Sequence, residues 1–376
     1  IPDKRIIIMN GKMLYCASTI SHIVNFHLPY LRAFHEAGYE VWVGANEQKP
    51  VPYADHVVAL PFCKKMTSIQ NIRAVHMAYK LIREEKFDIV STHTMLASAV
   101  IRAAILPLHH RPKVFCTVHG YLFNESDGLK KWKYLIPEKI CARVTDVLMV
   151  MNHEDFAIAE KHKLYHGKLH YINGMGIDLK RFPPITGEER TAARAVYDLA
   201  ESDVAYVYAA EFSKRKNQGF LIRAFAESCK NNSHLKLFLA GEGTLLNSCK
   251  DLTRQLGISN KVFFLGYVNN IRELYAACDA CVSASLCEGL PFNILEAMAC
   301  GLPVIASDIK GHRELVLDER YGLLFRNFAE LKGSIKQISR DTTLKTSLRK
   351  TEPQRLEEFA LPVVFDDIMG QYRSAL

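Results

Sequence analysis

Two carboxylates, Glu288 and Glu296, flank a short Gly-Pro segment in Glu288-Gly-Leu-Pro-Phe-Asn-Ile-Leu-Glu296, and an apolar run follows in Ala297-Met-Ala-Cys-Gly-Leu-Pro-Val-Ile-Ala-Ser-Asp308. Pro291 suits the first turn of a helix, where its missing N–H costs nothing. The N–H groups of Phe292 and Asn293 then point outward from a helix end of partial positive charge, which suits a phosphate. Glu288 falls in the loop before this helix and Glu296 about a turn and a half inside it. A lone carboxylate beside a phosphate repels it, whereas two set back on either side accept hydrogen bonds from sugar hydroxyls. The pattern asks for a ligand with a central diphosphate and a polyol at each end, as in a nucleotide sugar.

Other segments carry compatible chemistry. Ala210-Glu-Phe-Ser-Lys-Arg-Lys-Asn217 places Lys214, Arg215 and Lys216 where a strand gives way to a helix, and three cations there favour an anion. Gly241-Glu-Gly243 and Gly266-Tyr-Val-Asn-Asn-Ile271 each follow a strand-like run. In the first half, His119 ends the strand-like Thr117-Val-His-Gly120, a position where open α/β sheets bind ligands, and His93 ends the preceding run. Ser21-His-Ile-Val-Asn-Phe-His27 follows the first strand, and its His22, Asn25 and His27 are candidates for lining an acceptor site. This loop lacks G-x-G-x-x-G, which argues against a dinucleotide enzyme.

Apolar runs alternate with helical periods throughout, as in parallel α/β architecture. The expected strands of the first half are 12–17, 40–45, 57–60, 88–92, 113–118 and 146–150, with helical patterns such as 68–86 and 94–105 between them. Those of the second half are 204–209, 235–240, 262–265, 280–285, 303–306 and 322–325. Near-continuous apolar strands mean sheets covered on both faces. Glycines and prolines in 172–187 break both periods and read as a linker. Residues 1–10 read as lying outside the fold or as an edge element.

The E-x7-E stretch, with Ser283 and Ser285 before it and Gly301-Leu-Pro-Val-Ile-Ala-Ser and Gly311-His-Arg-Glu314 after it, resembles the signature of retaining glycosyltransferases of the GT-B fold, family 4. The resemblance implies an α/β protein of two Rossmann-like domains facing across a cleft. Residues 1–175 would bind the acceptor and 176–360 the nucleotide sugar, while a last helix over 361–376 returns to the first domain. Glu288 would orient the sugar hydroxyls and Glu296 the ribose. Lys216, with Gly289, Leu290, Phe292 and Asn293, would hold the diphosphate. Gly243 would lie beside the nucleotide, Val268 beside a uracil base and His119 against the donor sugar. Glu211 stands where the family has an arginine and Ala210 where it has a glycine, so either Lys214 or Arg215 supplies the second charge or the leaving group relies on Lys216 and the helix N-terminus. The family mechanism is same-face attack, with a donor phosphate oxygen taking the acceptor proton. No metal and no cofactor are implied beyond the donor itself. The likeness is closest to bacterial enzymes that build exopolysaccharide or capsule repeat units on a lipid carrier.

The composition agrees. A chain of 376 residues, 49% hydrophobic and 23% charged, suits two ordinary domains of a soluble protein. No signal peptide is read, and 95–108 is too short to span a bilayer and contains Arg102. The expected place is therefore the cytoplasm, at the inner face of the membrane. Ten cysteines scattered in apolar segments, Cys278 and Cys281 included, read as reduced thiols. The net charge of +8 is uneven: residues 1–180 hold 23 Lys and Arg against 16 Asp and Glu, and 13 of the 15 histidines. A basic first half suits an anionic membrane or a polyprenyl-pyrophosphate-linked glycan acceptor. Segment 128–140 mixes lysines with Trp132, Tyr134, Leu135 and Ile136, as does a helix lying on a membrane. Nucleic acid is excluded as a partner by the absence of its motifs. Two rivals stay open: a sugar-nucleotide epimerase or hydrolase on the same fold, and a non-catalytic nucleotide-sugar-binding subunit, to which Glu211 points. A nicotinamide dehydrogenase is a distant third.

Overall fold

The computed structural model describes residues 11–63, 68–348 and 353–375, so the reading of 1–10 lies outside it. The chain forms two compact units, one of residues 1–176 and 362–376 and one of 177–361.

The first unit holds a parallel sheet of β1 (Lys12–Cys16), β2 (Glu40–Ala45), β3 (His56–Ala59), β4 (Ile89–His93), β5 (Lys113–Val118), β6 (Val147–Val150) and β7 (Lys168–Tyr171), in the order β3-β2-β1-β4-β5-β6-β7. The second unit holds β8 (Val204–Ala209), β9 (Leu235–Ala240), β10 (Val262–Gly266), β11 (Ala280–Ser283), β12 (Val304–Ser307) and β13 (Leu323–Phe325), in the order β10-β9-β8-β11-β12-β13. All pairings are parallel. Every residue of β4 and β6 and the first five of β8 are buried, which is why these strands read as unbroken apolar runs. β7, Lys-Leu-His-Tyr, has no counterpart among the expected strands. It is a four-residue edge strand with Lys168 and His170 in alternation, and edge strands carry such charges to discourage further pairing.

In both units the strand order reverses beside the first strand, between β1 and β4 and between β8 and β11. The carboxyl ends at such a switch point splay apart and leave a crevice.

Local chemistry secures the helices that feed these ends. Ser68 and Asn152 cap helices Ile69–Glu85 and His153–His162 with their side chains, and Thr186 with Glu189 closes a capping box on Gly187–Val196. Gly174 and Gly176 take positive φ after β7, which turns the chain into the second unit. The final helix, Leu361–Ala375, packs in the first unit. Its Tyr372 hydroxyl meets Ser91 Oγ at 2.6 Å, its ring stands against Phe34 and Phe115, and Gln371 accepts from Lys168 at 2.6 Å.

Arg102, fully buried in helix Met95–Ile105, forms a bidentate pair with Glu138 at 2.8 and 2.9 Å and also donates to Thr145 Oγ1 and the Ser98 carbonyl. This pair fixes helix Trp132–Cys141 with Leu135, Glu138 and Cys141 inward. Trp132, Ile136 and Ile140, each one turn apart, are left exposed, and Leu129 before them is 88% exposed. None of the ten cysteines is in a disulfide.

Candidate functional site

Loop 210–217 leaves β8 and enters helix Gln218–Cys229 through Asn217 at φ +56°. The Tyr208 hydroxyl donates to the Lys216 carbonyl at 2.9 Å and lies 2.7 Å from Ser285 Oγ, tying this loop to the one after β11. The Leu286 N–H donates to the Arg215 carbonyl at 2.8 Å and ties them again. The result sets Glu288, buried, between two cations. Lys216 Nζ stands 2.6 Å from Oε1 and Arg215 2.8 Å from Oε2, and Arg215 also donates to the Cys287 carbonyl. Burial alone would raise the Glu288 pKa, but Lys216 and Arg215 overcome it and hold the carboxyl at about 2. Lys214 is exposed, as is Glu211. Of the two expected sources of the second charge, Arg215 is therefore the one beside Lys216.

The helix expected after Pro291 runs over Phe292–Ala299, with Pro291 at its N-cap and no acidic residue in its first turn. Asn293 Nδ2 is a buried donor without a partner, an arrangement that a ligand acceptor would complete. Glu296 sits on the same helix, half-buried. Burial raises its carboxyl to about 7 against the opposing pull of the Tyr275 hydroxyl, 3.2 Å away, and of Arg181. The two glutamates of one motif thus differ in charge state near neutral pH.

Close backbone approaches explain the glycines. At Gly243, with φ +148°, a Cβ would stand 2.4 Å from the Phe212 carbonyl oxygen, and at Gly241, with φ +135°, 2.2 Å from that of Ala210. The Phe212 N–H donates to the Glu242 carbonyl and the Gly241 N–H to that of Gly266, so the loops after β8, β9 and β10 touch through main chain. Val268, two residues beyond Gly266, is half-buried on the third of them. Gly289 and Leu290 are buried beneath the site, and a Cβ on Gly311 would stand 2.6 Å from the Glu288 carbonyl.

Sequence reasoning did not single out His312. It is fully buried, with Nδ1 2.7 Å from the Ser307 carbonyl and Nε2 3.1 Å from Ser283 Oγ. Burial lowers it to about 4 despite the nearby Glu288, so it is neutral: Nδ1–H donates and Nε2 accepts. Only the fold brings it, 24 residues on, behind the Glu288 loop. Its signal was the Gly-His-Arg-Glu segment itself.

In the first unit the carboxyl ends of β1, β4 and β5 gather His22, His27, His93 and His119. Ring centroids lie 4.9 Å apart for His22 and His27, 4.7 Å for His22 and His119, and 4.2 Å for His27 and His93. His27 and His93 are buried, His22 and His119 half-buried, and Asn25 stands exposed on the same helix as His22. Burial depresses all four, His22 to about 4, so none carries charge at neutral pH.

The family model "Glycosyl transferases group 1" matches residues 189–355, and "Glycosyltransferase Family 4" matches residues 30–181. The chain is 34% identical over 365 residues to "Putative glycosyltransferase EpsD" of Bacillus subtilis, covering 94% of this chain and 96% of that one. It is 30% identical over 267 residues to the UDP-Gal:alpha-D-GlcNAc-diphosphoundecaprenol alpha-1,3-galactosyltransferase of Escherichia coli, over 70% and 68% of the two chains. Among solved structures, Anabaena HepE in complex with UDP and glucose matches with a TM-score of 0.77 at 19% identity, over 97% of this chain and all of that one. Sucrose-phosphate synthase of Thermosynechococcus elongatus matches with a TM-score of 0.76 at 20% identity, over 97% and 98%. The chain belongs to the family 4 glycosyltransferases and has the GT-B fold.

Lys216→Met takes one of its two cations from buried Glu288 and leaves Arg215. We expect it to lower stability by about 2 kcal/mol in urea unfolding, the scale of a lost charged hydrogen bond. Adding Glu288→Gln should restore part of the loss, because it removes the under-compensated buried charge. The depressed carboxyl also sets a sign: its stabilisation is complete above the unfolded pKa near 4.3 and is lost as pH falls toward about 2. Equal unfolding midpoints for wild type and Lys216→Met would show that the pair does not hold the loop.

Proposed function

We propose that this chain transfers a sugar, with retention of configuration, from a UDP-sugar to a hydroxyl of a glycan or polyprenyl-pyrophosphate-linked acceptor in cell-surface polysaccharide synthesis. The observation that carries this is the Lys216–Glu288–Arg215 group at the switch point, backed by neutral His312 and by a helix start with an open Asn293 amide. Its support comes from relatives: the E. coli one is named for a UDP-galactose donor and a diphosphoundecaprenol-linked acceptor, and HepE is solved with UDP.

The bond from the anomeric carbon to the diphosphate oxygen breaks, and negative charge grows on that oxygen as positive charge grows on the carbon. The incoming phosphates compete with Glu288 for Lys216 and Arg215. As the cations turn to phosphate, Glu288 gains lone pairs for the hydroxyls of the sugar. Lys216, Arg215 and the N-terminal turn of Phe292–Ala299 then stabilise the leaving group. The acceptor hydroxyl attacks on the face the diphosphate leaves, and its proton passes to a donor phosphate oxygen. Positioning supplies most of the acceleration. Glu296 accepts from the ribose hydroxyls, the loop at Val268 meets the base, and His22, Asn25, His27 and His93 of the first unit belong to the acceptor side.

The exposed stripe of Leu129, Trp132, Ile136 and Ile140, flanked by exposed Lys130, Lys133 and Lys139, is in this reading where the protein rests on an anionic membrane at the cytoplasmic face. Among the described residues no helix is long and apolar enough to cross a membrane.

Three measurements check this. Incubation with UDP-sugars and a synthetic polyprenyl-diphosphate-linked acceptor should give a product whose anomeric proton, by NMR, keeps the donor's configuration. Donor consumption that does not depend on the acceptor would favour an epimerase or hydrolase. UDP binding that requires ionised Glu296 should weaken about tenfold from pH 8 to pH 6, one unit below its pKa of about 7, and release a proton at pH 6. Glu296→Gln should bind weakly and without this pH dependence in calorimetry, and a pH-dependent Glu296→Gln would remove the ribose assignment. In vesicle co-sedimentation the wild type should bind phosphatidylglycerol over phosphatidylcholine, and less in high salt, while Trp132→Glu/Ile136→Glu should stay in the supernatant. Equal sedimentation of the two proteins would exclude this face.

A further inference from the structure

The histidine group contains an unsettled account of lone pairs. His27, with no exposed surface, has Nδ1 at 2.9 Å from the Tyr15 hydroxyl, and its Nε2 is buried without any partner. His22 Nε2 is likewise buried without a partner. His93 is engaged on both sides, by Ser91 Oγ at 3.0 Å and by His119 Nε2 at 3.3 Å, and Ser91 is held in turn by Tyr372. A buried polar atom left unmatched is destabilising, and two such atoms from different turns of chain converge here. One donor nitrogen from each of His22, His27 and His119 lies within 4.8 Å of the other two.

We propose that His22, His27 and His119 form a binding site for one divalent transition-metal ion, a function that the spacing of these residues in the sequence did not suggest. Around a tetrahedral ion with metal–nitrogen bonds of about 2.0–2.1 Å, donor atoms stand roughly 3.3 Å apart, so small ring rotations close the triad. With Nδ1–H of His27 donating to Tyr15, its Nε2 carries the lone pair, the tautomer a ligand needs. Tyr15 and His93 are the positioning residues: Tyr15 orients His27, and His93, stacked on Tyr15 with centroids 4.4 Å apart, borders both His27 and His119. Three imidazoles without a carboxylate in the triad select zinc, cobalt, nickel or copper over magnesium or calcium. Because His22 and His119 keep some exposure, the ion retains a position for water or another oxygen ligand, as sites of three histidines do.

The experiment is a titration of tag-free, chelator-treated full chain with Co2+ and Zn2+, read by the visible d–d absorption of cobalt and by calorimetry. One equivalent of Co2+ should give an intense band of four-coordinate cobalt that one equivalent of Zn2+ removes. His22→Ala, which changes a half-buried side chain, should lose the band while its circular dichroism and UDP binding stay those of wild type. His27→Gln is the second variant and should lose it too. Absence of stoichiometric binding would overturn the proposal and leave a bound water as the partner of the two nitrogens. Binding that survives in both variants would place the ion elsewhere and also overturn it. UDP titration of the same samples reads the second unit, so failure of the metal site and failure of the donor site are told apart.

Discussion

The buried carboxylate of Glu288 is the constraint on which the second unit's site is built. A charge in that position needs compensation, and it receives it from Lys216 and Arg215, two consecutive residues on the loop after another strand. The pairing forces that loop and the loop after β11 to the same place, and the Tyr208 hydroxyl and the Leu286 N–H complete the tie. It also holds Lys216 and Arg215 side by side before any ligand arrives, a form of preorganisation that costs no rearrangement during reaction.

The second carboxylate of the motif lives under different physics. Glu296 has a hydroxyl neighbour at 3.2 Å and, among the described residues, no cation in hydrogen-bond contact, so burial wins and its proton is held to about pH 7. Eight residues apart on one segment, the two glutamates divide the work: one keeps its charge through its partners, and the other titrates near neutral pH.

Much of this was legible in the sequence. Among the described residues the apolar runs marked twelve of the thirteen strands, and those such as β4 and β6, buried throughout, need no context to be seen. β7 was not seen, since a four-residue edge strand has one covered side and a polar alternation. Glu288, Glu296 and Lys216 stood out through local spacing, and the cation beside Lys216 was narrowed only to Lys214 or Arg215, because side-chain direction on an irregular loop is set by tertiary contact. His312 was invisible as a site residue, its partners Ser283 and Ser307 lying on two strands that only the sheet makes adjacent. The histidine group was partly visible, each member at a strand end or in the first loop. That four of them converge follows from the placement of β1 beside β4 and β4 beside β5, and the sequence holds no local trace of that order.

The main-chain contacts between loops carry a consequence for how this protein can vary. Gly241, Gly243 and Gly311 leave no room for a Cβ, so the paths of the loops are frozen relative to one another. Divergence within such a site is channelled to the side chains at the tips, where Tyr267 and Leu286 stand 67% and 61% exposed. An ancestral loop framework of this kind would exchange one ligand for another by substitution at the tips, and insertions would be tolerated only beyond the backbone contacts.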